Sequence, residues 1–150
     1  MDQRKVLIIE ANHNREISAA LLEGAVRELE AKGVDFKHVV VPDVLEIPTA
    51  MRYAVRSMEM KTAEARYIGY VALGCVVLDE DKHREHIAKE ATHGAQTLSM
   101  QYSLALGNGI ITANTLEEAK EYANPDGKNI GGQAAKTCLH MIELKKLIGL

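Results

Sequence analysis

The sequence predicts an α/β fold: a mostly parallel, four-stranded sheet with helices on both faces. Three observations predict it. Strand-like and helix-like segments alternate along all 150 residues. The strand-like segments are apolar runs rich in β-branched residues, the pattern of strands covered on both sides. Connections are short, with no linker, repeat or low-complexity tract, which is how a β-α-β order is kept throughout one domain spanning residues 1–150.

Each element has its own signal. Residues 5–9 (Lys-Val-Leu-Ile-Ile) read as the first buried strand, and Ala11-Asn-His-Asn as loop. Ile17, Ala20, Leu21, Gly24, Ala25 and Leu29 recur at helical spacing until Lys32-Gly33 supplies a stop. Residues 38–41 are a second strand, broken by Pro42-Asp43. A helix starts near Glu46, with Pro48 tolerated in its first turn. Residues 67–73 form a third strand ending at Gly74, and the polar run Leu78-Asp-Glu-Asp-Lys leads into a helix over 83–106. Residues 107–112 are the fourth strand. Thr115-x-x-Glu118 is a capping box, Asn124-Pro-Asp-Gly a turn, and 131–146 the last helix. The sum is a flavodoxin-like three-layer sandwich, whose ligand site is expected at the carboxyl ends of the strands.

Composition excludes several classes. Hydrophobic residues make up 47% and charged residues 26%, values of a globular chain. The formal charge is −3, lysines are scattered, tryptophan is absent and Phe36 is the only phenylalanine, so a nucleic-acid partner is not expected. No apolar stretch is long enough for a bilayer, and the start lacks the apolar core of a signal peptide, so a cytoplasmic protein without a membrane partner is expected. Cys75 and Cys138 form no Cys-x-x-Cys pair and read as small buried hydrophobes. There is no Gly-x-Gly-x-x-Gly, no P-loop and no Gly-x-Ser-x-Gly, so nothing supports dinucleotide binding, nucleotide hydrolysis or acyl-enzyme chemistry.

Candidate residues are therefore sought in the strand-end loops at 10–14, 42–46, 74–83 and 112–114. His13 sits where a side chain meets a ligand or simply solvent, and Asn14 is placed to cap the next helix. Glu46 lies at a helix N-terminus, where it caps or where free N–H groups hold a ligand. The stretch 78–86 crowds Asp79, Glu80, Asp81, Lys82, His83 and His86 between a strand end and a helix start. A histidine there can move protons near neutral pH. A metal on His83, His86 and Glu90 and a plain solvated helix start are the other readings.

Several runs, in order and spacing, resemble the 6,7-dimethyl-8-ribityllumazine synthase family over nearly the whole chain. They are Leu21-Leu-Glu-Gly-Ala25, Val41-Pro42, Glu46-Ile-Pro48, Ala72-Leu-Gly-Cys-Val-Val77 with His83, Gly109-Ile-Ile-Thr112 and Gly131-Gly-x-Ala-Ala135. Ser103-Leu-Ala-Leu-Gly-Asn-Gly109 is similar to the alphaproteobacterial branch. The resemblance implies condensation of 5-amino-6-ribitylaminouracil with 3,4-dihydroxy-2-butanone 4-phosphate, in riboflavin synthesis, without metal or redox cofactor. It implies His83 as proton shuttle. Substrate contacts are implied at His13, Val44, Leu45, Glu46, Cys75, Val76, Val77, Glu80 and Asp81, with Asn108 contributed across a subunit boundary. The implied partners are small-molecule substrates and further copies of the chain, as a pentamer, a decamer of two rings or a sixty-subunit capsid.

The departures from the family pattern cluster at the site. The usual aromatic that stacks on the pyrimidine is His13, and the usual Gly-Ala-aromatic before the glutamate is Asp43-Val44-Leu45. The usual Arg-Gly-Glu-Thr phosphate loop is Leu78-Asp79-Glu80-Asp81, in which only Glu80 matches. The family's phosphate-binding arginine falls at 122–125, where there is none, and the lysine after Asn129 is Ile130. Two readings follow: an active lumazine synthase, or a divergent or engineered ring or cage of the same fold without catalysis. A flavin-binding or metal-binding module is a third.

Overall fold

The fold was obtained as a computed structural model, and the structure describes residues 3–150. In chain order the elements are β1 (Arg4–Ala11), α1 (Arg15–Ala31), β2 (Phe36–Val41), a 3-10 turn (Val44–Glu46), α2 (Ile47–Glu59), β3 (Arg66–Val77), α3 (Arg84–Tyr102), β4 (Leu106–Ala113), α4 (Leu116–Ala123) and α5 (Ile130–Ile148). The four strands form one all-parallel sheet in the order β2-β1-β3-β4. The α/β three-layer architecture expected from the alternation of segments is therefore the architecture found.

The strand period divides the core into two halves. Val6 and Ile8 on β1, with Val71, Leu73, Cys75 and Val77 on β3, meet Ile17, Leu21, Ala25 and Leu29 of α1. Ala119 and Ala123 of α4 and Ala134, Ala135 and Cys138 of α5 complete that layer. On the opposite face Leu7, Ile9, Ala11, Tyr70, Ala72 and Val76 meet Val44, Ile47, Met51 and Val55. Ala88, Ala91 and Ala95 of α3 close that second layer.

Most boundaries fall within two residues of the sequence expectation, and two differ by more, each for a local reason. The third strand does not end at Gly74 but runs to Val77. A Cβ at Gly74 would press into Val44 Cγ1 and Ala11 Cβ, so the glycine admits the 3-10 turn against the sheet rather than ending the strand. The third helix stops at Tyr102 rather than reaching Leu106, because Ser103 takes a left-handed conformation, φ 56°. Ser99 holds this reversal: its carbonyl accepts from Leu104 N at 2.9 Å, and its hydroxyl donates to Leu104 O at 3.1 Å. Leu106 is thereby freed to open β4.

Helix α5 lies unusually close to its neighbours. A Cβ on Gly131 would fall on the Leu21 carbonyl of α1, and one on Gly107 of β4 would fall on the Ala134 carbonyl. Neither obstacle is a side chain that can swing away. Gly131→Ala should therefore lower stability by about 3 kcal/mol, the upper part of the overpacking range, seen as a thermal midpoint about 10 °C lower; an unchanged midpoint would refute the close approach. Tyr70 is a contrasting case. It is buried in the α2/α3 layer, and its hydroxyl has no hydrogen-bond partner among the described residues. Burial pushes its pKa above the ordinary tyrosine value. Removing the unpaired oxygen in Tyr70→Phe should raise the unfolding free energy by about 1 kcal/mol in urea melts, and a loss of stability would show that the hydroxyl is paired after all.

Candidate active site

The carboxyl edge of the sheet is uneven, and this makes the site. The β1–β3 register ends at Glu10↔Leu73, whereas β3 stays paired with β4 as far as Val77↔Ala113. Residues 74–77 thus carry ladder partners on the β4 side only. On the β1 side no strand ladder continues beside them, and strand N–H and C=O groups without a ladder need other partners. The side chains of Cys75, Val76 and Val77 are all buried in the two core layers. Backbone included, none of the three is more than 2% exposed, so none presents an open surface to a ligand in the single chain. Burial, with the Glu80 charge adding to it, pushes the Cys75 thiol up to about 12, so it stays neutral and is no nucleophile.

On the α2/α3 side the edge is held by an ion pair between distant segments. Arg84 Nη1 donates to Asp43 Oδ2 at 2.7 Å and Nη2 to Oδ1 at 2.8 Å, a two-pronged contact with side chains 12% and 18% exposed. Asp43 Oδ1 also accepts from Val44 N at 2.7 Å, capping the 3-10 turn. His13 Nδ1 stands 4.0 Å from Oδ2. Burial by itself would raise the Asp43 pKa. Hydrogen bonds from Arg84 and Val44 N–H, with the Arg84 and His13 charges, outweigh it and hold the carboxyl below its ordinary value. Val44 is buried beneath the turn, Leu45 is exposed, and Glu46 is half-buried at the α2 N-cap. The Glu46 carboxylate makes no capping bond, so the capping expectation falls to Asp43 instead.

The acidic loop lies beside this pair. Asp81 Oδ1 accepts from His83 N at 3.0 Å, and His83 is the exposed residue from which α3 starts. Glu80 and Asp81 are exposed, and their charges add to that of Asp43 in stabilising the Arg84 cation. Asp79 lines a separate cavity of about 400 Å³ with Leu78, Lys82, Glu85, Asn114 and Thr115. Lys128 is not part of it: its Nζ lies 4.9 Å over the Tyr122 ring. Asn108 is exposed on β4 opposite Ala72, well back from the edge, and its Oδ1 accepts from Ile110 N at 2.9 Å. Within one chain it does not join the other candidates. Among the described residues no three His, Cys, Asp or Glu side chains converge as metal ligands, so His83, His86 and Glu90 make no such group. No helix among them is long and apolar enough to cross a membrane.

Two features of the loops escape sequence reasoning. Asn14 occupies the α1 N-cap, but its side chain makes no cap bond, and its Nδ2 is buried without a partner. Arg84 Nε is likewise buried and unpartnered. Both are donors, and a buried donor left unpaired costs about 1–3 kcal/mol. Nearby, Glu10 is buried at the end of β1, taking Ser18 Oγ at 2.6 Å and lying 2.7 Å from His38 Nε2. The carboxylate is in the middle, with no contact between histidine and hydroxyl, so this is a brace from β1 to α1 and β2 rather than a nucleophilic relay. A carboxylate placed directly after the apolar run of β1 was the one available hint of it.

Residues 3–146 match the model of the 6,7-dimethyl-8-ribityllumazine synthase family. The chain belongs to this family. It is 42% identical over 146 residues to the 6,7-dimethyl-8-ribityllumazine synthase of Paramagnetospirillum magneticum, covering 97% of both chains. It is 44% identical to that of Afipia carboxidovorans (95% of this chain, 86% of the relative) and 42% identical to that of Bartonella tribocorum (96% and 91%). Against the lumazine synthase pattern, Asp43 replaces the usual glycine, and the structure shows what meets its charge: Arg84. The pair's contribution carries a pH signature. Because the folded Asp43 pKa is lowered, its stabilisation is complete above the unfolded value, about 3.9, and is lost as pH falls through the folded one. Asp43→Asn should cost about 3 kcal/mol in urea melts at pH 7, with the gap to the parent narrowing below pH ~4; a gap independent of pH would overturn this account.

Proposed function

We propose that this chain is an active lumazine synthase, joining 5-amino-6-ribitylaminouracil and 3,4-dihydroxy-2-butanone 4-phosphate into 6,7-dimethyl-8-ribityllumazine with loss of phosphate and water. The observation that carries the reading is the β3 overhang: a strand end whose last four residues have ladder partners on the β4 side only, between the Glu46 turn and the His83 helix start. A pyrimidine with alternating N–H and C=O groups is the kind of ligand such a strand end pairs with. The unpartnered donors Asn14 Nδ2 and Arg84 Nε favour a ligand rich in oxygen acceptors. Glu46, free of capping duty, can accept from the ribityl hydroxyls.

The reaction needs little beyond proximity and proton traffic. The amine adds to the ketone carbonyl, water leaves to give an imine, phosphate is eliminated, and ring closure with loss of a second water completes the product. His83, exposed at the α3 start, is the group that carries protons between these steps. For the phosphate, Arg84 is engaged by Asp43 and Lys128 by Tyr122, which leaves Lys82. Its cavity also holds the Asn114 amide and the Thr115 hydroxyl at the start of α4. Lys82 has to act against Asp79 and Glu85 in the same cavity, so phosphate binding should be weak and salt-sensitive.

The same geometry favours action as a ring of identical subunits. Leu45 and His83 are exposed on the single chain, and Asn108 lies on the outer strand away from them, as expected of a residue serving a neighbouring site. The experiment is a lumazine-forming assay by product absorbance, with native mass measured in parallel. Product should form above the spontaneous rate from material of pentamer mass or a multiple. His83→Ala should cut kcat about 100-fold, and Lys82→Ala should raise KM for the butanone phosphate about 10-fold. A monodisperse ring that makes no product at saturating substrates would sink the reading and favour the non-catalytic ring.

A further inference from the structure

We propose that the Asp43–Arg84 pair is a positioning clasp that fixes the Glu46 half of the site against the His83 half. The inference rests on the reading just given, in which Glu46 and His83 serve the two substrates.

The clasp joins segments 41 positions apart in sequence. One end is the loop after β2. Asp43 Oδ1 holds Arg84 Nη2 and Val44 N–H together, so any pull on the carboxylate is passed to the backbone of the 3-10 turn. That turn is one residue triplet long and ends at Glu46, the α2 N-cap. The other end is the first residue of α3. Arg84 is bonded in sequence to His83, and the backbone of His83 is tied in turn to Asp81. The charges of Asp81 and Glu80 also fall on the Arg84 guanidinium. One cation thus gathers the acidic loop, the histidine and the glutamate turn around a single point.

The chemistry of the pair suits this role. A guanidinium fork and a carboxylate match in two parallel hydrogen bonds, which fixes orientation as well as distance. A lysine would supply the charge without the fork. The side chains are only 12% and 18% exposed, so solvent does little to loosen them. Other links between α3 and this turn are apolar packing, such as Val44 and Ala88 within one core layer, which tolerates sliding. Substrates assembled from two sides of a cleft lose rate steeply when the sides drift.

The test separates holding the fold together from setting the geometry. The double variant Asp43→Ala/Arg84→Met replaces the pair by apolar groups, an exchange that usually leaves stability intact. It should melt within a few degrees of the parent, while kcat falls at least 10-fold and KM for each substrate moves less than about threefold. Amide exchange at residues 44–46 and 83–86 should become at least 10-fold faster. Arg84→Lys, which keeps the cation, should behave like the double variant in kcat and serves in its place if the double variant does not fold. Retention of kcat within twofold and of parental exchange rates in either variant would overturn the clasp. If the parent chain makes no lumazine, the functional reading fails by itself, and the exchange rates still decide whether the pair holds the two loops.

Discussion

The carboxyl end of β3 is the feature on which the rest of the site depends. A strand buried on both faces normally spends its backbone groups on two neighbours, and here the pairing with β1 stops at Glu10↔Leu73 while β3 continues to Val77. The overhang survives because both faces remain covered, by Val76 on one side and by Cys75 and Val77 on the other. Gly74 lets the 3-10 turn reach the strand where the overhang begins. Core packing thereby fixes a strand end with ladder partners on one side only, and the loops around it supply the charge and hydroxyl groups.

The distribution of charge at this edge is less hostile to an anionic substrate than the residue types imply. Asp43 is neutralised by Arg84 and turned inward onto Val44 N–H. Asp81 is occupied by the His83 backbone. Of the acidic residues that distinguish this chain from the usual lumazine synthase pattern, Asp79 alone lines the cavity that contains Lys82. Charges counted along the chain overstate the repulsion because they omit the partners supplied by folding.

How much could be read beforehand follows from the range of the forces involved. The sheet, its parallel order and its two helical layers were legible because apolar runs and helical spacing are local signals. The strand-end loops containing His83, Glu46 and His13 were legible for the same reason. Gly74 was misread as a strand end because the atoms that require a glycine belong to Ala11 and Val44. The end of α3 was misplaced because Ser103, not a glycine, takes the left-handed position. Asp43 read as a strand breaker and Arg84 was not singled out, since nothing in sequence links positions so far apart. Asn14 read as a cap, but the α1 N-cap uses its carbonyl, which accepts from Ser18 N, and not its side chain.

The two thiols carry a practical consequence. Cys75 and Cys138 are the only cysteines in the chain, both lie inside the α1/α5 layer, and burial pushes both up to about 12. With almost no thiolate at neutral pH and no access for a reagent, neither competes in alkylation or disulfide exchange. A cysteine introduced at an exposed position such as Tyr53 would be the single reactive sulfur of each subunit. A dye, a spin probe or a cargo could then be placed on this scaffold at one defined point per copy without first stripping the native thiols.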